Sequence, residues 1–287
     1  MANKATRYLL LTILIVAVFI IILLLLKSQQ TSEPTTSESA TQEQRDDKQQ
    51  ENELPPAERA ILRDYLPSSA NQQIVRREHY ALSYAEEHEQ AEWVAYELTD
   101  IEVQGNAERE DDFREDPEVR TGSASLKDYY RSGYDRGHLA PAADMKITED
   151  AMSESFYMSN MSPQEPSFNR GIWRKLEEEV RELAVENGRL FIVTGPVFGS
   201  DSKKIGENGV SIPQAYYKVL LDYTEPEVKA IAFLLANEGS KKDVYDFVVT
   251  IDSVEQVTSI DFFPALPDLE ENRLESMSNP SLWIGDE

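Results

Sequence analysis

Cysteine is absent from the chain, which removes disulfide staples, thiolate metal sites and a cysteine nucleophile whatever the redox compartment. Histidine is scarce, with 3 in 287 residues, so imidazole chemistry has few candidates. Positive charge is the third shortage: 28 Lys and Arg face 53 Asp and Glu, a formal net charge of -25. So acidic a surface argues against a protein that coats nucleic acid electrostatically, because phosphate binding draws on surplus basic groups. A local basic patch aided by a cation stays compatible. Without thiolates, a metal would be held by oxygen or imidazole. What is present is length, enough for a domain of roughly 200 residues to bury a full core.

Tyr8 to Leu26 (YLLLTILIVAVFIIILLLL) runs 19 residues without a charge, which at about 1.5 Å per residue matches a bilayer's hydrocarbon core. A cleaved signal peptide would have a shorter apolar region and small residues at a cleavage site, whereas this run ends in Lys27 and SQQTSE. The expectation is a transmembrane anchor over 1–27. Lys4 and Arg7 precede it, favouring a cytoplasmic N-terminus and a body outside the cytoplasm, in the cell membrane as a single-pass protein. Residues 28–57, rich in Gln, Ser, Thr, Glu and Asp, bury too little to offset ordering entropy and are expected to form a polar tether. Apolar periodicity then marks one domain over 58–287.

Within that domain, His79 to Thr99 alternates aromatic and aliphatic residues around a charged turn, as a hairpin would. Ser167 is placed to cap a helix whose apolar positions Ile172, Leu176, Val180, Leu183 and Ala184 recur at helical spacing until Gly188. Arg189–Gly195, Ala215–Tyr223 and Val228–Asn237 read as strands, the last two joined at TEPE, and a short helix is expected from Ser253. The class is mixed, strands forming the bulk with one long helix.

Chemistry concentrates in YDRGHLAPAADMK, Tyr134 to Lys146. His138, with an ordinary pKa near 6.5, suits proton abstraction from water at neutral pH. Arg136 offers a planar fork for phosphate oxygens, Gly137 lets the chain bend, and Asp135 could fix a loop through backbone bonds. From Arg120 to Lys146 there are 5 Lys or Arg against 3 Asp, a basic window in an acidic chain. A surface histidine in an ordinary turn is the alternative. On the long helix Asn169, Trp173 and Glu177 stand four apart and share a face. Asn169 could ligate a hard cation through its amide oxygen; Glu177, about 12 Å further along the axis, would orient a water. Equally, Asn169 could cap the helix start and Glu177 could be one of three solvated glutamates. Tyr129, Tyr130 and Tyr134 read as packing or base-stacking groups, and His79 and His88 receive no role.

DRGH, then Asn160-Met-Ser-Pro-Gln164, then an asparagine opening a helix with Trp four and Glu eight residues on, resembles the DNA/RNA non-specific endonuclease family. The similarity spans nearly the whole domain and neither anchor nor tether. It implies an α+β, ββα-metal (His-Me finger) fold, mainly antiparallel sheet with one long active-site helix, clasping Mg²⁺ or Mn²⁺. It also implies roles: His138 as general base, Asn169 as sole protein metal ligand, Glu177 as holder of a water beside the metal, Arg136 as phosphate contact and Asn160 as support. An upstream arginine belongs to the pattern, Arg109 or Arg114, with Arg109 preferred. The implied activity is metal-dependent hydrolysis of DNA or RNA with little sequence preference, leaving 5'-phosphates. The acidic charge keeps a second hypothesis open, a catalytically weak binding module on a nuclease scaffold.

Overall fold

The central strands carry apolar residues on both faces, so each face must be covered. In the computed structural model, which describes residues 65–68, 73–224 and 228–284, they are. Among the described residues eleven strands are formed: β1 (Gln73–Arg76), β2 (Ala81–Ala85), β3 (Gln90–Thr99), β4 (Asp135–His138), β5 (Met161–Gln164), β6 (Arg189–Val197), β7 (Lys204–Ile205), β8 (Val210–Ser211), β9 (Ala215–Asp222), β10 (Lys229–Ala236) and β11 (Val248–Val249). The helices are α1 (Asp100–Val103), α2 (Leu126–Tyr129), α3 (Glu149–Glu154), α4 (Arg174–Asn187), α5 (Ile251–Thr258) and α6 (Asp268–Glu275). Seven strands make one sheet in the order β1-β2-β3-β6-β9-β10-β11, every pair antiparallel. Consequently the architecture is α+β and mainly antiparallel.

Strand periodicity of two assigns the faces. Val94, Tyr96 and Leu98 of β3, Leu190 and Ile192 of β6, and Tyr216 and Leu220 of β9 meet Trp173, Leu176 and Val180 in one core. Trp93, Ala95, Phe191, Val193, Tyr217, Val219 and Leu221 point the other way, against Ile251, Val254, Phe262 and Leu274. Helix α4 therefore covers the first face, and α5 and α6 cover the second. Burying a side chain such as Leu176 or Val254 stabilises by roughly 1.5–3 kcal/mol.

The hairpin and the three expected long strands form as read, within a few residues at the ends. Three local expectations change. DRGH is a strand, β4, rather than a loop. The α5 cap is Thr250, whose hydroxyl accepts the Ser253 N–H at 3.1 Å, so that helix starts earlier than expected. The long helix is not capped by the Ser167 side chain; a carboxylate, that of Glu165, accepts the Ser167 and Phe168 N–H groups at 2.8 and 3.1 Å. The expected anchor and tether lie outside the described residues, among which no helix is long and apolar enough to cross a membrane.

Candidate active site

Strands β4 and β5 pair antiparallel, Asp135 opposite Gln164 and His138 opposite Met161. A wide π-type turn (Phe168–Trp173) and α4 follow, giving strand, strand and helix in sequence. Glycine at 137 makes space rather than a bend: a Cβ there would lie 2.1 Å from Cδ of the Gln164 side chain, which would have to move. The pair is fastened to the main sheet through β5. Ser162 Oγ and the Tyr216 hydroxyl are 2.7 Å apart, and Tyr216 donates to the Pro163 carbonyl at 2.9 Å. Beyond the strand, Asn237 donates to that carbonyl at 3.1 Å while its own Oδ1 accepts the Glu165 N–H at 2.8 Å.

Asn160 is fully buried and acts on backbone. Its Oδ1 accepts the Ala140 N–H at 2.9 Å, and its Nδ2 donates to the carbonyls of Ala140 and Ser155 at 2.9 and 2.8 Å. It clamps the segment just after His138.

His138 stands against two aromatic rings. Phe156 meets it edge-on at 4.9 Å with planes at 90°, and Phe113 lies 5.9 Å away. Each ring also carries a guanidinium, Arg109 4.9 Å above Phe156 and Arg136 4.3 Å above Phe113. Such stacking holds a guanidinium through its face and leaves its edge for hydrogen bonds; Arg109 spends Nε on Asp111 Oδ1 at 3.0 Å. The imidazole Nε2 is buried and unpartnered, although the residue as a whole is partly exposed. Burial, then the charges of Arg109 and Arg136, push the His138 pKa down to about 3. The ring is therefore neutral at physiological pH, with a free lone pair.

Asn169 donates Nδ2 to Asp135 Oδ2 at 3.0 Å. Arg170 grips the same carboxylate twice, Nε to Oδ2 at 2.8 Å and Nη2 to Oδ1 at 2.6 Å. Burial raises the Asp135 pKa, but these hydrogen bonds outweigh it and hold the carboxyl below its usual range. Committing Nδ2 to Asp135 fixes the amide so that Oδ1, a neutral hard donor, is left for a cation. That donor set, one amide oxygen braced by a carboxylate, fits an ion that keeps most of its waters.

Glu177, part-exposed on α4, interacts with a buried charge group on the side of that helix facing the sheet. Asp144, nearly inaccessible, accepts Arg181 Nη1 at 2.9 Å and the Tyr96 hydroxyl at 2.8 Å. Lys218 has 0% exposure and its Nζ, 5.1 Å from the centre of the Trp173 ring, has no hydrogen-bond partner. Burial raises the Glu177 pKa and lowers that of Lys218, each partly offset by the other's opposite charge. Glu177 is thus not a solvated glutamate.

The structure links His138, Arg136 and Arg109 directly through Phe113 and Phe156. Asn169 joins through Asp135 of the same strand. Arg114 is otherwise engaged, bonding Asp112 and the Ser153 carbonyl and lying over Tyr157. The shared face expected for Asn169, Trp173 and Glu177 does not form as a regular helix: Gly171, at φ -110° and ψ -110°, interrupts it, so Trp173 enters the core while Asn169 stays at the surface edge. Tyr129 is buried, Tyr130 exposed, and His88 stacks on Phe198. Reading from the sequence missed Phe113, Phe156, Arg170 and Lys218. Only Lys218 had a signal, a lone cation inside the apolar run YYKVLLD.

Comparison with known proteins agrees with this layout. The family model described as DNA/RNA non-specific endonuclease matches residues 58–269. The mitochondrial nuclease EXOG of Danio rerio is 36% identical over 72% of this chain and 65% of its own length. Nuclease C1 of Cunninghamella echinulata is 35% identical over 74% of this chain and 90% of its own. A chain of the crystal structure of the EndoG/EndoGI complex superposes with a TM-score of 0.68 at 29% identity, covering 75% of this chain and 94% of that one. The chain spans just under two thirds of its mitochondrial EXOG relatives, 65% in Danio rerio and 62% in Homo sapiens. With the family model covering most of the chain and the strand-strand-helix site in place, this chain belongs to the DNA/RNA non-specific endonuclease family.

Proposed function

We propose that the chain is a metal-dependent endonuclease that hydrolyses phosphodiester bonds of DNA, RNA or both with little sequence preference. The observation that carries this reading is His138 set against two rings that each carry a guanidinium, on the strand whose Asp135 orients Asn169. Arg109 and Arg136 bind backbone phosphate, which carries no base information. A phosphate seated there offsets their charge, so the proton affinity of His138 rises as substrate arrives and the base strengthens only in the complex. His138 then takes a proton from the water that attacks phosphorus. Asn169 Oδ1 would hold Mg²⁺ or Mn²⁺, whose charge would stabilise the non-bridging and leaving 3'-oxygens. Glu177, poised by Lys218 and Arg181, would orient water at that position.

A second element of the reading concerns the apolar run over 1–27 and the polar stretch over 28–57: they would tether the domain to a membrane with the domain outside the cytoplasm. The support is the 19-residue uncharged run and its flanking Lys4 and Arg7.

Nicking of supercoiled plasmid by the detergent-solubilised chain, with and without EDTA, tests the activity. Metal-dependent nicking abolished in His138→Ala, with the fold intact by circular dichroism, is expected; nicking equal to wild type in that variant overturns the reading. Nucleic-acid binding without metal-dependent cleavage would favour the binding-module alternative. Release from membranes by alkaline carbonate would overturn the tether.

A further inference from the structure

On the sheet face opposite α4, helices α5 and α6 pack inward through Ile251, Val254 and Leu274. At their junction five carboxylates gather. Oxygens of Asp252, Glu255 and Glu275 lie within 4.8 Å of one another, and so do those of Asp261, Glu271 and Glu275. Glu275 is therefore common to both groups. Clustered acids on a surface are ordinary in so acidic a protein, and by themselves they would mean nothing.

Glu275 is the exception. Its residue is only 8% exposed, and its Oε1 is sealed from solvent with no hydrogen-bond partner. A carboxylate oxygen buried in this way is costly unless something positive or protic meets it. No Lys or Arg forms an ion pair with any of the five acids among the described residues; the nearest basic pairing on α6, Arg273, reaches Glu270 instead. Burial, and then Glu255, Glu271, Asp252 and Asp261, push the Glu275 carboxyl up to about 8. Every neighbour that acts on it acts in the direction of repulsion. Glu255 spends Oε1 on the Phe262 N–H at 2.9 Å, which leaves Oε2 free. The Asp261 backbone is pinned by reciprocal bonds with Ser68 at 2.9 and 3.1 Å, so the loop presents its carboxylate from a fixed position.

We propose that this junction is a structural binding site for a hard divalent cation of the calcium type, centred on Glu275 and distinct from the position at Asn169. The ligands are oxygens alone, with neither imidazole nor thiolate within the group. Oxygens that all lie within 4.8 Å of one another are close enough to share one ion at about the 2.3–2.6 Å of calcium ligation. Magnesium, which dehydrates reluctantly and is usually held by one or two carboxylates, fits five acids less well. The bound cation would tie α5, the following loop and α6 together and satisfy the sealed Oε1.

Calcium titration calorimetry on the EDTA-stripped, detergent-solubilised full chain tests the proposal in three forms: wild type, Asn169→Ala and Glu275→Gln. The Asn169→Ala arm removes the position used in the proposed catalysis, so failure there and failure here are separable. One calcium site is expected in wild type and in Asn169→Ala, weakened about tenfold or more in Glu275→Gln, with a calcium-dependent rise of the unfolding midpoint that follows the same pattern. Absence of calcium binding in Asn169→Ala, or binding undiminished by Glu275→Gln, overturns it. Glu275→Gln that melts higher than wild type while wild type ignores calcium also overturns it, since the junction would then be a protonated acid cluster. Should Glu275→Gln fail to fold, the Asp252→Asn/Glu271→Gln double variant, altered at more exposed positions, decides on the same calorimetric readout.

Discussion

Phe156 touches both His138 and Arg109: its ring stands perpendicular to the imidazole at 4.9 Å and lies 4.9 Å beneath the guanidinium. One hydrocarbon ring thereby sets the position of the proposed base and of the guanidinium proposed to bind phosphate.

Replacing that ring without emptying its volume isolates the effect. Phe156→Leu should cost about 1–1.5 kcal/mol of stability yet reduce plasmid nicking by about tenfold or more, because misplacing reacting groups by about 1 Å is expensive. Initial nicking rates beside a urea melt check it. A rate unchanged from wild type would show that Phe156 only fills space.

His138 makes a separate prediction about pH. Its folded-state pKa is lowered from 6.5 to about 3, so between those values the unfolded chain binds a proton that the folded chain refuses. Stability must therefore fall as pH drops from about 6.5 toward 3, by about 1.4 kcal/mol per unit for this one group. His138→Gln removes that contribution. Urea unfolding at a series of pH values should give the variant a shallower acid slope than wild type; parallel slopes would refute the depressed pKa.

Asp135 orients the Asn169 amide and neutralises Arg170. Asp135→Asn should raise the Mg²⁺ concentration for half-maximal nicking by about 10–100-fold, the usual cost of losing a group that braces a ligand. A metal titration of the nicking rate measures this. Loss of maximal rate with an unchanged metal requirement would place Asp135 elsewhere in the chemistry.

Lys218 is the counter-charge for Glu177. Lys218→Met leaves the buried Asp144 and the part-buried Glu177 with Arg181 alone, and should destabilise by about 3 kcal/mol. Adding Glu177→Gln should recover part of that loss. A double-mutant cycle by urea melts gives the coupling, and strict additivity of the two substitutions would mean that the pair does not interact.

Much of this architecture was legible because strong periodicity marks strands and helices wherever one face is apolar. Ala215 to Asp222 and Leu176 to Ala184 show it. DRGH defeated the same reading since its polar residues Arg136 and His138 break the apolar alternation, and Gly137 suggested a bend where it makes room for Gln164. The Gly171 interruption was hidden for a related reason: spacing by fours assumes an unbroken helix, and Asn169 and Trp173 flank the break. The motif residues could be named from their order, but what surrounds them could not. Phe113 and Phe156 come from separate segments, and nothing in their local sequence announces that they converge on one imidazole.

Lys218 sits on β9 between Tyr216 and Leu220, on the face turned to α4, while Tyr217 and Val219 face the other core. A slip of β9 by one residue against β6 would invert that alternation. The ammonium would then enter the mainly apolar layer on the other face, and Glu177 and Asp144 would lose a neighbour at the same moment. A single misplaced cation is thus prohibitive in the wrong alignment and tolerable in the right one, which makes this buried charge a proofreading device for how the central strands assemble.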